Sequence, residues 1–268
     1  MSFTHRPGRY CLTLFLLSVL PLAQADTYES PSAAVQSLWR GEASSSVLSS
    51  RFTQQASKAG AEFRSEVKNA PTYLQTGAES AWVALGRKRF DAVATPWGSF
   101  PRLDMRSARL LEINLPKKRY QLLVGPGAGL FGVGDWQRYG FLHVIDVSAP
   151  SAPVHYPLYA HADLAEHALG RLADSPVLNY ARLVPASRSK AGEIDAYEIS
   201  LYALGRKGIE RILREGIPLA YLLKRDGEAW AIDRVERTPV TTERDEEHRP
   251  FTTPLRPALF KVKESPAE

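Results

Sequence analysis

The chain has 268 residues, is 44% hydrophobic and 24% charged, and carries a formal net charge of +5 at neutral pH. That is enough apolar material for a packed core, and its interspersed charges lack the clustered basic stripe of a nucleic-acid binder. Its single cysteine, Cys11, lies in an N-terminal apolar run. A chain processed beyond that run has no disulfide and no thiolate metal ligand.

Arg6 and Arg9 precede the apolar run 10–22, which ends at Ala23-Gln24-Ala25. A charged start, an apolar middle and a small-residue cleavage site make a secretory signal over residues 1–25. The run is shorter than the roughly 20 residues that a bilayer-spanning helix needs. The expected mature protein therefore begins at Asp26, in the periplasm or outside the cell, with no transmembrane segment.

Residues 26–75 read as a helical or linker segment. Ser30-Pro31 is a helix start, with Ser at the N-cap and Pro at the first position. Ala34, Val35, Leu38 and Trp39 then share a face, and Gly41 closes the helix. The stretch 44–70 is rich in Ser, Gln, Lys and Glu and sparse in apolar residues, the pattern of a polar helix or a poorly packed linker.

From residue 81 the pattern becomes alternation with β-branched and aromatic enrichment. Strands are expected over 82–85, 90–94, 109–115, 120–124, 141–147, 154–159, 178–184, 196–204, 219–224 and 229–235. Asp226-Gly227 is a type I′ hairpin signal. Helices are expected only at 163–172 and 209–215. With so few helices there is no room for alternating βαβ units. The expected fold is mainly β and antiparallel over 76–238, propeller-like or another β-rich architecture, preceded by the short helical segment; the alternative is α+β. Residues 239–268 form a Pro-rich arm carrying Phe251, Leu255, Leu259, Phe260 and Val262, suited to clamp onto the domain or a partner.

Ala84-Leu85-Gly86-Arg87-Lys88 recurs as Ala203-Leu204-Gly205-Arg206-Lys207. Strand–turn–strand units centre near Ile113, Ile145, Ile199 and Ile232, with a mean spacing near the ~40 residues of a propeller blade. In the segment 141–159 an apolar strand ends in Asp146-Val147-Ser148. Pro150 and Pro153 then fix a turn, and a second strand returns. This segment resembles the LVIVD-type repeat of certain surface and secreted β-propellers. The resemblance implies a blade-like hairpin and carries no chemistry with it.

His155, His161, Asp163 and His167 form the densest cluster of metal-ligating types. On a helix, Asp163 and His167 would stand one turn apart, as two ligands require. This is a near miss to His-x-x-Glu-His, with Asp163 where the first histidine belongs. The bland reading makes Asp163 a cap and His167 a surface residue favoured by the helix dipole. Gly125 to Gly134 contains Gly-x-Gly-x-x-Gly, but no crossover helix fits before the next strand, so a dinucleotide site is not expected. Trp97 and Trp136, in glycine-containing turns, are the aromatic residues placed to touch a ligand such as a polysaccharide. The expected function is that of an exported, non-enzymatic binding or scaffold protein of the bacterial envelope, with an envelope protein or polysaccharide as partner and no cofactor. The alternative is a zinc-dependent hydrolase built on the 155–167 cluster.

Overall fold

The computed structural model describes residues 26–41, 43–58, 60–76, 80–90, 94–95, 98–99, 103–127, 139–161 and 164–235. The signal region, the arm 239–268, Trp97, Trp136 and Asp163 lie outside the described residues.

A short strand, β1 (Thr27–Tyr28), precedes α1 (Pro31–Ser37). Ser30 caps α1, its hydroxyl accepting from the Ala33 amide at 3.2 Å, and Ala34 and Val35 are buried beneath it. Next come β2 (Ser44–Ser49) and the meander β3 (Thr53–Ser57), β4 (Gly60–Arg64), β5 (Thr72–Thr76), β6 (Ser80–Leu85) and β7 (Lys88–Phe90). A minor pair, β8 (Ala94–Thr95) and β9 (Gly98–Ser99), leads to β10 (Arg109–Leu115), β11 (Lys118–Pro126), β12 (Tyr139–Asp146) and β13 (Val154–His161). The last third comprises β14 (Leu169–Gly170), β15 (Asn179–Arg188), β16 (Ile194–Gly205), β17 (Gly208–Arg211), β18 (Leu213–Arg214), β19 (Ile217–Pro218), β20 (Ala220–Asp226) and β21 (Ala229–Val235).

Three antiparallel sheets dominate. The large sheet runs β1-β21-β20-β16-β15-β14, with β17 also on β16; the middle sheet runs β13-β12-β11-β10-β2; the meander is β3 to β7 in order. The fold is mainly β, and one of its sheets curls into half a barrel.

The central strand β12 of the middle sheet is buried on both sides. Phe141, Leu142, Val144 and Ile145 are all inaccessible to solvent, which explains why 141–147 reads as a continuous apolar run rather than an alternating one. One face meets the meander: Tyr73 packs on His143 with ring centroids 5.8 Å apart, and Phe90 on His155 at 4.9 Å. The other face meets the large sheet. There the Tyr120 hydroxyl accepts from the Leu178 amide at 3.2 Å, and the Tyr156 hydroxyl donates to the Gly205 carbonyl at 2.8 Å.

The 141–159 segment is a hairpin, with Phe141 opposite Tyr159 and Asp146 opposite Val154. Its Asp146-Val147-Ser148 terminus has a physical role. The Asp146 carboxylate accepts from the Ser148 amide at 2.9 Å and from Lys118 Nζ at 2.6 Å. Burial would raise the Asp146 pKa, but these contacts hold it below its usual value. Units near Ile113 and Ile145 share the middle sheet; those near Ile199 and Ile232 share the large one.

Several expectations need correction. Residues 44–70 hold β2, β3 and β4, not a helix or linker. Their polar composition reflects exposure, since β2 and β3 are exposed along most of their length. The boundary between 75 and 76 cuts a sheet, because β5 pairs with β6 from Thr72 opposite Ala84 to Thr76 opposite Ser80. The described part of 163–172 holds one helical turn, closed by the Ala168 amide on the Leu164 carbonyl at 2.8 Å, and then enters β14. Residues 209–215 are strand and turn, not helix. The β20–β21 loop is Gly227-Glu228, between the pair Asp226 and Ala229. With φ of +63° at Gly227 and no positive φ at Glu228, it follows the type II′ pattern rather than I′. The repeated pentapeptide marks a hairpin end twice, but in different frames. Gly86 sits in its loop at φ +59°, whereas Gly205 is paired with Gly208.

Candidate functional site

Below α1 the chain is laid along residues 167–172. The Trp39 indole donates to the His167 carbonyl at 2.8 Å, and the Gly41 amide to the Arg171 carbonyl at 2.8 Å. Trp39 covers Gly170 so closely that a Cβ there would fall 2.1 Å from its ring. Only glycine fits beneath the indole. Gly170→Ala should therefore lift the α1 segment and lower stability by about 2–3 kcal/mol, the cost of overpacking a tight contact. A denaturant melt checks this, and the loss should shrink when Trp39→Ala is added.

At the edge of the large sheet, β1 pairs with β21, placing Thr27 opposite Ala231 and Tyr28 opposite Trp230. Across the sheet, β18 and β19 form a small finger. It turns through Glu215 and Gly216 at φ +55° and +76° and is tied down at its base by the Leu219 amide on the Ile212 carbonyl at 2.8 Å.

Between these elements lies a cleft of about 780 Å³. Its apolar lining comprises Tyr28, Leu38, Leu172, Ile212, Leu219, Tyr221 and Ile232, and Ser37 and Ser175 add hydroxyls. Asp26, Arg40, Asp174 and Arg214 line it as exposed charges. Leu213 stands on the finger, 37% exposed. Asn179 also lines the cleft and is fully buried. Its Oδ1 accepts from the Leu172 amide at 2.9 Å, and its Nδ2 has no hydrogen-bond partner.

The expected metal cluster is divided. His155 and His161 stand six residues apart on β13, about 20 Å at the ~3.3 Å rise of a strand, too far to share one ion. His155 instead bonds and stacks on His143, Nε2 to Nδ1 at 3.0 Å with centroids 5.3 Å apart. Burial lowers both pKa values, His155 to about 4 and His143 well below 6.5, where the charge of His155 lowers it further. His161 meets Tyr197 edge-on at 6.3 Å. His167 accepts at Nδ1 from the Gln36 amide at 2.6 Å and lines a smaller cleft of about 360 Å³ beside the Arg109–Glu166 ion pair. Among the described residues no three ligand-type side chains are gathered as a metal site. In the glycine-rich segment, Gly125 lies in β11, where a Cβ would come 3.2 Å from the Ala108 backbone, and Gly127 bridges Leu103. These glycines permit close strand contact.

Sequence reasoning missed the cleft. Its walls come from α1, the 172–175 turn, the finger and the large sheet, which are distant in sequence. The chain matches no family model, and no curated protein or solved structure matches it.

Proposed function

We propose that this is an exported, non-enzymatic binding protein of the bacterial envelope that holds its ligand in the cleft between α1 and the large sheet. The observation carrying this reading is the cleft itself. About 780 Å³ of space lined by apolar side chains together with charged and polar ones is within the ~300–1,000 Å³ range of small-molecule sites. The N-terminal signal supports export. Mass analysis of protein from an envelope fraction should place the mature N-terminus at Asp26.

Titration with the fluorescent probe N-phenylnaphthylamine tests the cleft. Saturable binding at one probe per chain is expected. Leu213→Glu should weaken it at least tenfold, while Val47→Ser, on an exposed residue of β2, should leave it unchanged. Equal binding by both variants would locate the probe elsewhere and remove the cleft from the proposal.

A further inference from the structure

We infer that the cleft is masked by the chain's own proline-rich arm: residues 250–260 dock between Tyr28 and Tyr221 as a polyproline II segment, which a ligand must displace. The inference rests on the cleft being the binding site and adds how access to it is controlled.

The cleft has the form such a segment needs. Tyr28 and Tyr221 line it half-buried, so each keeps surface open to solvent. Tyr28 stands opposite Trp230 and Tyr221 opposite Arg234. Residues 230, 232 and 234 point to one side of β21, so both tyrosines share a face with Ile232. Four residues along β21 and two strand spacings separate them, about 16 Å by strand geometry. That is the rise of about five polyproline II residues at ~3.1 Å each. Aromatic-lined grooves are what dock proline-rich segments. Proline has no amide hydrogen to bury, and a polyproline II backbone keeps its carbonyls solvated, which a cleft with exposed charges on its rim allows.

The arm has the matching chemistry and reach. Pro254-Leu255-Arg256-Pro257 is a Pro-x-x-Pro element, with Pro250 ahead of it. Phe251, Leu255, Leu259 and Phe260 supply apolar side chains for Leu38, Leu172 and Ile212. The cleft carries both signs of charge, Asp26 and Asp174 with Arg40 and Arg214. The arm does too: Glu243, Asp245, Glu246 and Glu247 precede Pro250, and Arg256 and Lys261 follow it. The tether starts beside the cleft, because Val235 pairs with Ala220, next to Leu219 of the lining. Pro254 follows Val235 by 19 residues, a span of up to ~60 Å. Tethering of this length gives an effective concentration on the order of 1 mM. A segment whose free peptide binds with a Kd of about 0.1 mM then fills the cleft about nine-tenths of the time and weakens a competitor about tenfold.

The test titrates the wild-type protein and a Pro254→Gly, Pro257→Gly variant with N-phenylnaphthylamine. Glycine frees φ at both positions and removes the polyproline II bias. The variant is expected to bind the probe about tenfold more tightly. A synthetic peptide of residues 249–262, added to the variant, should displace the probe with a Kd of about 0.1 mM; the same peptide with glycine at 254 and 257 should not. Equal affinities in the two proteins, with no displacement by the peptide, overturn the arm inference and leave the cleft reading standing. Equal affinities with displacement also overturn it and make the occupant a proline-rich segment of another chain. An affinity gain that the peptide does not reverse overturns docking in the cleft. If dilution alone gives the wild type the affinity of the variant, the arm comes from a second copy and masking within one chain is overturned. If the probe binds neither protein saturably, the cleft reading falls as well.

Discussion

Val144→Asp should cost on the order of 4 kcal/mol, because it places a carboxylate in a fully buried position with no partner. Val144 is inaccessible to solvent in β12, opposite Leu122 on one side and Tyr156 on the other. That face of the middle sheet is pressed against the large sheet, so the new side chain cannot reach water without parting two layers. Protonation would relieve some of the cost by raising the carboxyl pKa. Whole domains hold only ~5–15 kcal/mol, so the variant should unfold at much lower urea or be recovered insoluble. Ser151→Asp, in the exposed turn of the same hairpin, should change stability by less than ~0.5 kcal/mol. Urea midpoints of the two variants decide the matter: if both match the wild type, the hairpin is not a core element.

Acid should weaken the fold through the His143–His155 pair. Both rings are neutral when folded, because burial between Tyr73 and Phe90 disfavours their charged forms. Lys88, whose ammonium lies 5.5 Å over the Phe90 ring, adds a further positive charge nearby. An unfolded histidine takes up its proton near 6.5, while folded His155 does so only near 4. Below pH 6.5 the unfolded chain thus binds protons that the folded chain refuses. Stability is complete above that pH and falls as pH drops towards 4. For His155 alone the loss is about 3 kcal/mol at 1.36 kcal/mol per pH unit. Urea midpoints at pH 7, 5.5 and 4.5 should fall steadily in the wild type. In a His143→Leu, His155→Phe variant the slope over this window should be shallower by about that amount. Equal slopes would show that the pair does not control the acid response.

The two histidines also show what was legible in the sequence. Alternation and apolar runs located β10 and β21 to the residue, and β11, β12, β13 and β20 to within two residues at each end, because their side chains are sorted by burial. In β2 and β3 that sorting is absent: Ser44–Ser49 and Thr53–Ser57 lie mostly exposed, so their polar letters read as linker. Closeness in the chain groups His155 with His161, Asp163 and His167. A hairpin instead places His155 opposite Ile145 and beside His143, and proximity along one extended strand separates residues rather than gathering them. The cleft gave no signal, since its lining is assembled from residues 26–40 and 172–232, which are distant in sequence.

The pairing of β1 with β21 also constrains when this protein can become native. Thr27 finds its partner at Ala231, so nearly the whole described chain must be made before the first strand is engaged. A chain that emerges N-terminus first, from a ribosome or through a membrane pore, cannot complete the large sheet progressively. Contacts between such distant segments also slow folding. Strand edges that wait unpaired invite association with other chains. Assembly is therefore deferred to a final step, and holding the emerging chain apart from its neighbours during that interval should raise the yield of folded protein more than any gain in the stability of the finished fold.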